Sequence, residues 1–82
     1  MSVEFIAICV NNDGEAFGFP VNVFLKKNAF YRLSNIKPSG LYPGELIAEV
    51  YKKGKERIEI NENVKCWRIS ERFVPIFQYS LN

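Results

Sequence analysis

The sequence predicts a mostly β protein, a small antiparallel barrel or curled sheet that occupies residues 1–82 as a single domain. Three observations predict it. Short runs of β-branched and aromatic residues recur along the chain. The breaks between them carry tight-turn residues, notably Asp13-Gly14, Pro43-Gly44 and Lys53-Gly54. Two independent turn assignments, at Asp13-Gly14 and at Lys52-Lys53-Gly54, each set apolar residues opposite apolar residues.

The first run, residues 3 to 10, is Val-Glu-Phe-Ile-Ala-Ile-Cys-Val and stops at Asn11-Asn12-Asp13-Gly14, which reads as a strand and a turn. With Asp13-Gly14 at the centre of a primed turn, Val10 faces Phe17, Ile8 faces Phe19 and Ile6 faces Val21. These six residues are expected to share the core face. Pro20 cannot donate to a ladder, so its strand is expected at an edge or at a bulge. Phe30 to Leu33 reads as a third strand of undetermined register. The segment from Lys37 to Gly44 is the longest evident loop, with Pro43-Gly44 suited to a type II turn.

Residues 45–53 admit two readings. Leu46, Ile47, Val50 and Tyr51 fit one face of a short helix capped by Gly54, which would make the fold α+β. The strand reading is preferred because a hairpin through Lys52-Lys53-Gly54 sets Leu46 opposite Ile60, Ala48 opposite Ile58 and Glu49 opposite Arg57. A second hairpin through Asn61-Glu62-Asn63 then pairs Ile60 with Val64, Ile58 with Cys66, Glu59 with Lys65 and Arg57 with Trp67. Leu46, Val50, Ile58, Ile60 and Val64 join the predicted core. Residues 73–79 form a last strand, marked as an edge by Pro75. Several short strands joined by tight turns are SH3-like or OB-like in size and spacing.

Composition narrows the function. The 11 Lys and Arg nearly balance 9 Asp and Glu, for a net charge of +2, which is too even for a strong polyanion binder. No apolar run approaches the roughly 18 residues of a membrane span, and Met1-Ser2-Val3-Glu4 lacks the basic start of a signal peptide, so a cytoplasmic protein away from the membrane is expected. Cys9 and Cys66 each sit in an apolar run and read as buried thiols rather than a disulfide. The chain has no histidine, the side chain best suited to proton transfer near neutral pH and the commonest transition-metal ligand. No glycine-rich phosphate loop occurs either. The expectation is a binding protein without catalytic residues, metal or cofactor.

The predicted outer face of the two hairpins carries Tyr51, Lys55, Arg57, Lys65 and Trp67. Arg57 opposite Trp67 could stack on the indole, and aromatic and arginine side chains are enriched at binding hot spots. The competing reading covers Trp67 with the C-terminal strand. Contact would then move to the loop of Leu41, Tyr42 and Pro43, an apolar tip hard to cover fully. Glutamates interleaved with the cations favour a protein partner, engaged as an adaptor, accessory subunit or inhibitor. The alternative is a small β-barrel that binds nucleic acid through its aromatic and basic residues. Edge strands leave room for self-association.

Overall fold

The first apolar run contains no proline, so its backbone can pair with a strand on each side. The computed structural model, which describes residues 2–52 and 56–81 and the side chains of 4–52 and 56–77, shows this happening. Strand β1 (Ser2–Cys9) lies between β4 (Phe30–Pro38) and β8 (Phe73–Leu81), antiparallel to both. Strand β5 (Leu46–Tyr51) continues the sheet beyond β4. Its far edge is shared by β6 (Arg57–Ile58) and β7 (Cys66–Arg68). The six strands make an open antiparallel sheet of order β6-β5-β4-β1-β8, with β7 beside β6 on β5. The fold is thus mostly β, as the sequence predicts, and a sheet rather than a closed barrel. Among the described residues no helix is long and apolar enough to cross a membrane.

The segment between β1 and β4 crosses one face of this sheet. It carries a small hairpin, β2 (Glu15–Ala16) with β3 (Phe19–Pro20), and then a 3-10 turn at Val21–Val23. Val21 and Leu25 are fully buried against Ala7, Cys9, Leu33, Ala48 and Val50 of the sheet. Polar bonds pin the crossing: the Asn12 amide donates to the Leu25 carbonyl at 3.0 Å, and the Lys26 N–H donates to the Tyr31 hydroxyl at 2.8 Å.

This arrangement corrects the first predicted hairpin. Gly14 has the expected positive φ of 80°, but the chain does not fold back along β1 there. A local hairpin competes for the same edges as the ladders to β4 and β8, and those longer ladders prevail. The core face of β1 is therefore Ala7 and Cys9, with Phe5 packed against it, where small side chains leave room for Val21 and Leu25. Ile6 and Ile8 are half-buried, while Val10, Phe17 and Phe19 are exposed.

The strand reading of 45–51 holds and the helix does not form. Val50 pairs with Ile58 and Tyr51 with Arg57, a register two residues from the predicted one. An even shift keeps every side chain on its face. Val50 and Ile58 are accordingly buried, whereas Leu46 is exposed and Ile60 and Val64 are half-buried. The turn at 53–55 lies outside the described residues. The second predicted hairpin is corrected: the chain leaves β5 after Ile58, closes a tight excursion through an Asn61–Val64 bridge, and returns to β5 with Ala48 opposite Trp67 and Glu49 opposite Cys66. That return puts Trp67 on the core face and leaves Cys66 half-buried. Both cysteines are free, and burial pushes the Cys9 thiol above its ordinary pKa.

Candidate functional site

Of the predicted contact face, Tyr51 and Arg57 do stand side by side on the surface turned away from the core. They are already engaged. Glu4 is 3% exposed, and both its carboxylate oxygens lie 3.0 Å from Arg32 Nη1. The Arg32 guanidinium sits over the Tyr51 ring at 4.3 Å, and the Tyr51 hydroxyl donates to Glu49 at 2.6 Å. Arg57 then bridges Glu49 at 3.6 Å and Glu59 at 3.0 Å. Each cation in this row meets a carboxylate of the same chain, so the row spends its charge internally. Trp67 is absent from it, and Lys55 lies outside the described residues.

The hydrogen bond from Tyr51 holds the Glu49 carboxyl below its ordinary pKa of 4.5, helped by Asn35 and Arg57 and opposed by partial burial. The same bond raises the Tyr51 hydroxyl above its ordinary 10.0, with burial and the Glu49 charge adding to it. A lowered carboxyl pKa stabilises the fold above the unfolded value and is lost as pH falls through the folded one; a raised phenol pKa stabilises below the unfolded value and is lost as pH rises. Tyr51→Phe is therefore expected to cost a constant amount of stability between about pH 5 and 9.5, with wild type and variant converging below and above that window. Urea unfolding of both proteins across pH checks it, and a pH-independent difference would show that the bond does not form in solution.

A different part of the surface is concave. At the β7 edge of the sheet an open groove of about 650 Å³ lies between the β2–β3 turn, the 39–42 loop and the 59–65 excursion. Its apolar lining is Ala16, Phe17, Leu41, Ile47, Ile60 and Val64, with the buried Trp67 closing the floor. Trp67 is fixed by packing on Phe24 at 5.7 Å between centroids and by donating its indole N–H to the Ile58 carbonyl at 2.9 Å.

Local rules build the two projecting walls. Phe17 and Gly18 are the central residues of the β2–β3 turn, with φ of 52° and 83°. A two-residue hairpin turn of the primed type requires positive φ at both, which suits glycine and strains a phenylalanine. Phe17 nevertheless occupies the site and is 68% exposed. In the opposite wall the Ser39 hydroxyl accepts the N–H groups of Leu41 and Tyr42 at 3.2 and 3.1 Å, and Tyr42-Pro43-Gly44-Glu45 closes the predicted type II turn, with Gly44 at φ 82° and Glu45 N–H donating to Tyr42 at 3.0 Å. Leu41 is left 76% exposed. Pro43 shapes this turn without lining the groove.

Three cations and one carboxylate, Glu15, also line it. Arg68 is committed, donating to Glu45 at 2.9 Å while stacked on Tyr42 at 4.2 Å; that bond holds Glu45 below its ordinary pKa. Arg72 bonds only backbone carbonyls, Asn11 at 3.3 Å and Asp13 at 2.9 Å. Neither Arg72 nor Lys65 has an ion-pair partner among the described residues.

The groove thus joins Lys65 and Trp67 to Leu41 and Tyr42, which the sequence placed in two separate candidate sites. Sequence reasoning missed Phe17, Arg68 and Arg72. Phe17-Gly18 between Ala16 and Phe19 was the available signal, obscured by treating Phe17 as a core residue. Comparison of the chain with protein-family models, with curated proteins and with solved structures finds no match.

Proposed function

We propose that the protein is a small non-enzymatic binding domain, an adaptor, accessory subunit or inhibitor, that holds a protein partner by an extended segment laid in this groove. The observation that carries the reading is Phe17, a large aromatic residue kept exposed on a strained turn at the groove's rim. A bulky side chain at positive φ costs on the order of 1–3 kcal/mol, and such strain clusters at binding and catalytic sites. The mostly aliphatic lining favours a peptide over stacked bases, which need flat aromatic platforms. Unpaired Lys65 and Arg72 favour a segment that carries carboxylates among apolar residues. Two unpaired thiols and the absence of a disulfide agree with a reducing, cytoplasmic setting.

Phe17→Asn separates structure from function, because asparagine tolerates positive φ. The variant is expected to gain up to about 1 kcal/mol, or roughly 4–8 °C in Tm for a domain of this size, while binding falls at least tenfold. Binding is read on arrays of peptides that alternate acidic and apolar residues, beside charge-reversed arrays, and on partners captured with nuclease present. Lys65→Glu should weaken the acidic peptides selectively. Capture abolished by nuclease, with affinity falling steeply in salt, would assign the groove to nucleic acid instead. Unchanged binding in Phe17→Asn and Leu41→Ser would remove the groove from consideration.

A further inference from the structure

The two edges of the sheet are built differently. On one side β6 and β7 are two and three residues long, interrupted by the 59–65 excursion, and carry Arg57 and Arg68. Short, broken, charged edges are how sheet proteins avoid pairing with other chains. On the other side β8 runs nine residues, Phe73–Leu81, with no charged residue in it. Among the described residues it pairs only with β1, so every second residue turns its backbone N–H and C=O away from the sheet. Pro75 and the register shift opposite Ile6 and Ala7 interrupt only the first part of the strand, leaving 77–81 regular.

Apolar side chains surround this edge. Val74 is 46% exposed, and Ile76 and Phe77 are each 59% exposed. Val74 lies opposite Ile8, which lies opposite Phe30, itself 60% exposed on the same face. Phe30 stands two strands in from the edge, so the apolar surface beside the open backbone is that of Val74, Ile76 and Phe77.

The geometry points to β8 as a dimerisation strand that pairs antiparallel with β8 of a second copy, joining two six-stranded sheets into one. An antiparallel strand pair is compatible with a two-fold axis, so one surface serves both partners. A strand free of charge meets its own copy without a like-charge contact. Self-pairing satisfies the open backbone groups and covers the flanking apolar residues together. The groove lies at the opposite edge and stays accessible, so the dimer presents two grooves.

Sedimentation velocity between about 1 and 500 µM tests it on the whole chain. The expected result is a concentration-dependent dimer. Ile76→Lys/Phe77→Lys should weaken it at least tenfold with the monomer still folded by circular dichroism, while Leu41→Ser in the groove leaves it intact. Amide exchange of residues 77–81 should slow as concentration rises, which reads the pairing without any substitution. A monomer throughout would overturn the proposal, as would a dimer indifferent to Ile76 and Phe77 or one dissociated by Leu41→Ser. None of these outcomes bears on peptide binding in the groove.

Discussion

Trp67→Ala is expected to remove at least about a quarter of the stability of the fold. Removing a buried tryptophan costs about 3–5 kcal/mol, and a domain of 82 residues holds roughly 4–12 kcal/mol in all. Trp67 is 3% exposed, so nearly all of its transfer free energy is lost. The truncation also removes the packing on Phe24, through which the 15–29 crossing is fastened to β7, and the donor to the Ile58 carbonyl. Trp67→Phe keeps most of the volume and loses only that donor, for about 1–2 kcal/mol. Trp67 is the only tryptophan, so its fluorescence reports directly: native emission should be blue-shifted and poorly quenched by acrylamide. A red-shifted, readily quenched native protein would place the indole on the outer face instead.

Arg32→Met is expected to cost about 3 kcal/mol, the low end of the range for breaking a buried ion pair, because a quarter of the Arg32 side chain stays in water. The variant keeps the aliphatic stem but leaves the Glu4 carboxylate, 3% exposed, without the guanidinium that holds both its oxygens. It also strips the cation from the Tyr51 ring. The double variant Glu4→Met/Arg32→Met should recover most of the loss, since apolar residues of similar volume replace buried pairs at little cost. Urea unfolding of wild type, Arg32→Met, Glu4→Met and the double variant gives the coupling directly. A single variant within 0.5 kcal/mol of wild type would mean that water reaches Glu4 in solution.

These substitutions bear on opposite faces of one sheet, and the sequence is uneven in how it reveals them. Along 45–58 the misplacement of the hairpin is an even number of residues, so Val50 and Ile58 still lie inside and Tyr51 and Arg57 outside. From Phe5 to Val10 both alternate sets are apolar, and the hydrophobic pattern cannot choose between Ile6-Ile8-Val10 and Phe5-Ala7-Cys9. The choice belongs to what lies against the strand, because only small residues admit Val21 and Leu25 beneath them.

Read alone, the sequence determined the strand class, the turn at Pro43-Gly44, the free thiols and the exposed Leu41-Tyr42 loop, all features set by a few neighbouring residues. Tertiary structure alone decided which strands meet. Long ladders to β4 and β8 outcompeted the local hairpin at Asp13-Gly14, and the return of β7 to β5, one residue out of the phase a simple hairpin would have, moved Trp67 from surface to core. The groove follows from that same return. It gathers residues from positions 15 to 72, and no local pattern records a site whose walls are brought together only by the pairing of distant strands.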